Sequence, residues 1–144
     1  MPRVDFYILP ESMTAQRFAC DMAARVRRDG LDVLIHAPSR AEAVVLDGLL
    51  WTFRDISFLP HALADDADAG PAPIVLGWPG IDPAPRRVLI NLDEQAPAFA
   101  GEFEHIVEPV PSGGRAASRA RWKHYRDLGW DLDSHALEPG RAES

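Results

Sequence analysis

Short apolar runs alternate with helical stretches from the first residues of this chain, and that alternation fixes its fold class. Val4–Leu9 reads VDFYIL, which is β-branched, aromatic and aliphatic, and Pro10 stops it, so a strand is expected there. Over Thr14–Arg28 the residues Phe18, Met22 and Val26 share one helical face, with Ala15 and Ala19 alongside. Gly30 follows a basic last turn of Arg25, Arg27 and Arg28 and is expected just past the helix end. Leu31–Ala37 (LDVLIHA) is a second strand. Ser39 and Glu42 then have the spacing of a capping box, in which the hydroxyl accepts from the third backbone N–H while the carboxylate reaches back. The helix opened there carries Val44, Val45, Leu46, Leu49 and Leu50 to about Trp51. The order β-α-β-α predicts parallel strands joined by helical crossovers.

Farther along, Ile56–His61 is expected as a short extended segment and the small, acidic Ala64–Pro73 as a solvated loop. Ile74–Trp78 and Val88–Leu92 are short apolar runs suited to burial on both faces of a sheet, with a turn-rich connection over Pro79–Arg87. Ala96–Phe103 is expected as a short helix, Ile106–Val110 as the last strand, and Ala116–Leu128 as the final helix, stopped at Gly129. At 144 residues the chain fits one domain, expected over 1–137 with a mobile tail over 138–144.

Charge excludes several functions. The net charge is −7, which argues against a phosphate-neutralising DNA coat. It is unevenly spread: residues 1–112 hold 9 basic and 17 acidic side chains, residues 113–126 hold 5 basic and none acidic, and residues 127–144 hold 1 basic and 5 acidic. The +5 island (Arg115, Arg119, Arg121, Lys123, Arg126) calls for its own explanation. Cys20 is the single cysteine, so no internal disulfide or CxxC site is expected. No apolar run is long enough to span a bilayer and no signal peptide is evident, so a soluble cytoplasmic protein is expected.

Nucleotide fingerprints are absent. The turn after the first strand is Pro10-Glu-Ser-Met, with no glycine and with an acid that would repel phosphate. A small nucleotide-binding enzyme therefore lacks its site, and no cofactor is expected. Cys20 reads as a small core residue, since it lies near the apolar face of the first helix. The histidines His36, His61, His105, His124 and His135 have no metal-ligand spacing, and Asp65, Asp66 and Asp68 lack the frame of a calcium loop. The last helix is more informative. Arg115, Arg119, Trp122 and Arg126 fall on one narrow stripe, which suits an anion with an apolar neighbour. A plain solvated basic helix is the alternative, as is a surface for single-stranded DNA. Trp51, Phe58 and Pro60 form an apolar group that reads either as core or as a docking patch.

Taken in order, several segments resemble the chi subunit family of bacterial DNA polymerase III. They are VDFYIL, LDGLLW (Leu46–Trp51), SFLPHALA (Ser57–Ala64), PIVLGW (Pro73–Trp78), RRVLINL (Arg86–Leu92), FEHIVEPV (Phe103–Val110) and RARWKHYRDLGWDL (Arg119–Leu132), over roughly residues 3–133. The resemblance implies a three-layer α/β sandwich with a mostly parallel central sheet, Rossmann-like but without a nucleotide site. It implies a non-catalytic adaptor in the clamp-loader assembly. Such an adaptor pairs with the psi subunit and holds the acidic C-terminal tail of single-stranded DNA-binding protein, with no direct contact to nucleic acid or membrane. It carries the tail site onto Arg115, Arg119 and Trp122, with Arg126 beside them and Gly129 ending the helix. Arg115 and Trp122 stand where the family usually has Lys and Tyr, keeping charge and aromaticity but changing shape. Psi docking is carried onto Trp51, Phe58 and Pro60; an adaptor for a DNA-repair helicase using the same patch is the alternative.

Overall fold

Strand β1 (Arg3–Ile8) divides its side chains between two cores. Val4 and Phe6 join one apolar cluster, while Tyr7 and, just past the strand, Leu9 join the other. This two-sided burial makes β1 an interior strand, as its unbroken apolar run requires. The computed structural model describes residues 2–52, 60–82 and 86–138. The other elements are α1 (Ala15–Arg28), β2 (Val33–His36), α2 (Arg40–Thr52), β3 (His61–Leu63), β4 (Ile74–Gly77), β5 (Val88–Asn91), β6 (His105–Val110), α3 (Arg115–Asp127) and β7 (Asp131–Ala136). A 3₁₀ turn at Ala100–Glu102 lies before β6. The strands form one seven-stranded sheet in the order β3-β4-β2-β5-β6-β1-β7. Every pairing is parallel. Helices α1 and α2 cover one face with Phe18, Met22, Val26, Leu46 and Leu50. On the other face α3 supplies Tyr125 and Trp122, and irregular segments supply Phe103, Ala69 and Ala72. The result is an open α/β sandwich of the expected Rossmann-like kind. Among the described residues no helix is long and apolar enough to cross a membrane.

Local signals set the helix ends. Thr14 Oγ1 accepts from the Arg17 N–H at 3.1 Å, and Ser39 Oγ accepts from the Glu42 N–H at 3.2 Å. Gly30, at φ +78°, ends α1: its N–H meets the Arg27 carbonyl while the Leu31 N–H meets that of Val26. Gly129, at φ +82°, repeats the motif for α3, with Arg126 and Tyr125 as the acceptors. Both pairs of bonds satisfy carbonyls that a helix end leaves open.

Three expectations need correction. His105–Val110 is not the last strand, because β7 follows α3 and pairs along β1 from Arg3↔Asp131 to Ile8↔Ala136. Of Ala96–Phe103 only the 3₁₀ turn at Ala100–Glu102 is helical, and Pro97, which has no N–H to donate, lies before it. The acidic loop is not simply solvated: Ala69 and Ala72 are buried, and Arg86 donates to the carbonyls of Ala69, Gly70 and Ala72 at 2.8–3.2 Å. Arg40 holds its start through Asp65 at 2.9 Å. Cys20 is buried as expected, and burial pushes its thiol up to about 12.

Candidate functional site

Helix α3 begins after Gly113, at φ +86°, and Gly114, where a Cβ would come within 3.0 Å of the Pro111 ring. These two glycines let the chain turn sharply from β6 into the helix. Taking Arg115 as zero and about 100° per residue, Arg126, Arg119 and Trp122 fall at about 20°, 40° and −20°; the buried Ser118, Tyr125 and Arg121 fall at about −60°, −80° and −120°. The cationic stripe thus starts where the buried face ends, and Trp122 is the border residue. Its ring is half-buried, 5.1 Å from that of Phe6. Arg115, Arg119 and Arg126 are exposed, and Gly129 closes the helix.

The five cations of this region do not act alike. Arg121 is 5% exposed and points inward: Nε donates to Glu108 Oε1 at 2.8 Å and Nη1 to the Glu94 carbonyl at 2.8 Å. Tyr125 Oη and Asn91 Nδ2 donate to the other Glu108 oxygen at 2.5 and 2.9 Å. Burial, and after it the Glu108 charge, drives the Tyr125 hydroxyl pKa up, so that the group remains a donor. Lys123 pairs with Asp127 at 2.8 Å, and Arg126 Nε lies 3.9 Å from the same side chain. Arg115 and Arg119 make no ion pair among the described residues. The +5 island therefore reduces to two unpaired guanidiniums with a partly shared third. Sequence reasoning missed the inward role of Arg121; a glutamate inside the apolar run IVEPV was the available signal that a buried cation was needed.

A second polar cluster lies on the other face of the sheet. Asp5 on β1 is buried, and its carboxylate meets His105 Nε2 at 2.7 Å, His135 Nε2 at 2.8 Å and Arg3 Nε at 3.2 Å. His135 also stacks on Tyr7 at 4.8 Å, tying β7 to β1. No group of three or more His, Cys, Asp or Glu among the described residues is arranged to hold a metal. At the end of β2, where an open parallel sheet holds its ligands, His36 is buried against Phe99 and lies 3.6 Å from Asp93.

Of the docking residues, Trp51 is 59% exposed and its ring sits 4.4 Å from His61; Pro60 is exposed next to it. Phe58 lies outside the described residues. The outward face of α2 is broader than expected. Ala41, Val44, Val45, Gly48, Leu49, Trp51 and Thr52 are all exposed, and none carries a charge. A cavity lined by Ala15, Gln16, Glu42, Val45, Leu46 and Leu92 opens beside it.

A family model described as DNA polymerase III chi subunit, HolC, matches residues 1–133. The chain belongs to the DNA polymerase III chi subunit family. This chi-family chain is 37% identical over 142 residues to DNA polymerase III subunit chi of Pseudomonas aeruginosa, covering 95% of itself and 98% of the relative. It is 37% identical over 134 residues to that of Haemophilus influenzae, covering 90% and 93%. With that of Escherichia coli the identity is 33% over 143 residues, covering 93% and 97%. Chi-family membership makes it a replication accessory subunit with partners in the polymerase III complex.

Proposed function

We propose that this chi-family chain is a non-catalytic adaptor. It takes the acidic C-terminal tail of single-stranded DNA-binding protein on α3 and the psi subunit on α2. The observation that carries the first half is a pair of exposed guanidiniums, Arg115 and Arg119, without ion pairs among the described residues and beside the half-buried Trp122 ring. A guanidinium takes a carboxylate through two parallel N–H bonds and stacks on aromatic faces. Such bonds contribute about 1.5–3 kcal/mol each when well formed, and less at an exposed site. Trp122 supplies an apolar flank for the tail's last side chain. Arg126 extends the stripe, and Gly129 limits its length.

Support for the second half is the exposed apolar stripe of α2 (Val44, Val45, Leu49), flanked by the exposed Arg40 and Glu42 and continuous with Trp51 and Pro60. An apolar surface of this kind marks a protein contact more often than chance exposure. Since α2 and α3 cover opposite faces of the sheet, one chain has room for both partners.

Calorimetric titration with the C-terminal peptide of the organism's single-stranded DNA-binding protein, with and without its last residue, tests the tail assignment. Binding is expected to weaken with added salt, on removal of the last residue, and in Arg119→Ala far more than in Arg3→Ala. Equal affinity of those two variants defeats it.

A further inference from the structure

Strand β7 ends the sheet, and nothing among the described residues pairs with its outer side. The Leu137 N–H donates to the Ile8 carbonyl at 3.0 Å, so residue 137 and, by alternation, residues 135, 133 and 131 direct their backbone groups at β1. The N–H and C=O groups of Leu132, Ser134 and Ala136 therefore face outward. On the α3 side β7 presents the side chains of these same three residues, and none is charged. Asp131 and Asp133 project on the opposite side, where Asp133 meets Arg3 at 3.7 Å.

The rotation of α3 turns its cations toward this edge. Arg121 and Tyr125 both reach Glu108 on β6, Trp122 lies 5.1 Å from Phe6 on β1, and β7 is the next strand, so the helix flank beyond Trp122 is turned toward the β7 side of the sheet. That flank carries Arg115, Arg119 and Arg126. We infer that an acidic peptide binds in extended form as an added strand on the outer edge of β7, its acidic side chains held by the α3 guanidiniums.

This inference rests on the α3 site proposed above and adds the conformation and sequence class of its ligand. Main-chain bonds to an open edge supply affinity with little regard to sequence, and alternate side chains supply specificity. On one side the peptide meets arginine; on the other it meets Asp131 and Asp133, which repel acid. The favoured ligand alternates acidic with uncharged residues, and a run of consecutive acids is a poorer match.

Proline at 134 removes an outward N–H and no bond to β1, and an edge strand tolerates that change. Titration of a short synthetic peptide alternating Asp with Thr is expected to show Ser134→Pro weakened at least about tenfold and Arg119→Ala weakened. The same peptide N-methylated at alternate amides is expected to lose its affinity for the unaltered protein, which decides the matter if the proline variant fails to fold. Ser134→Pro and the N-methylated peptide binding normally while Arg119→Ala loses binding overturns the added strand and leaves the α3 site standing. No loss in either protein variant overturns both. A dimer in the absence of peptide that Ser134→Pro dissolves assigns the edge to a second copy of this chain and overturns the inference.

Discussion

Arg121 Nε donates to Glu108 Oε1 at 2.8 Å, and both side chains are shut off from solvent. The pair, completed by Tyr125 and Asn91, locks the rotation of α3 on the sheet. Glu108→Gln leaves a buried guanidinium without its carboxylate, and breaking one half of such a pair costs about 3–5 kcal/mol. Urea unfolding is expected to show a lowered midpoint at unchanged slope. The joint replacement Glu108→Leu with Arg121→Met is expected to recover only part of that loss: no charge is stranded, but Tyr125 Oη and Asn91 Nδ2 lose their buried acceptor. A midpoint that stays put in Glu108→Gln contradicts the clamp.

Asp5 sets the response to acid. Burial alone would raise its pKa, but hydrogen bonds from His135, His105 and Arg3 together outweigh it and the carboxyl is lowered. A carboxyl with a folded pKa below its unfolded one adds stability above the unfolded value and loses it as pH falls through the folded one. Thermal melts are therefore expected to show stability dropping below about pH 4. Asp5→Asn is expected to be less stable at neutral pH and to lose that part of the acid dependence.

On α2, Val45→Glu tests the docking face without touching the core. Val45 is 59% exposed, so the folded protein is expected to change by no more than about 0.5 kcal/mol. Co-purification of psi is expected to fall sharply. Full recovery of psi with this variant and with Trp51→Ala rules out the face.

Arg86 is the tether of the loop 64–73, through the carbonyls of Ala69, Gly70 and Ala72. Arg86→Ala strands these acceptors and is expected to open the loop to limited proteolysis. Cleavage no faster than in the unaltered protein would show that Asp65–Arg40 holds the loop by itself.

The interior of the fold was legible because its code is local. Val4–Leu9 and Leu31–Ala37 are apolar runs of strand length, and Thr14, Ser39, Gly30 and Gly129 mark helix ends through bonds that span a few residues. Strand β7 was not, since DLDSHA holds one large aliphatic residue and, as an edge strand, buries little. On α2, apolar residues at Ala43–Leu46 and Leu49–Leu50 exceed one helical face. That excess is the mark of a surface awaiting cover, though only Trp51 among the residues of this helix was read as a docking candidate. Periodicity grouped the guanidiniums of α3 correctly, but which of them is free depends on Glu108 and Asp127, and only the folded chain brings those partners in.

The strand order has a consequence for how the protein is made. Strand β1 leaves the ribosome first, yet its neighbours in the sheet are β6 and β7. Asp5 meets His105, which is 100 residues downstream. Throughout most of synthesis VDFYIL therefore has no strand to join, and so distant a closure is slow. An unpaired apolar strand in a nascent chain is the sort of segment that chaperones shield. A chain cut short before His105 leaves β1 without either of its neighbours, so damage at the C-terminal end is felt at the N-terminus.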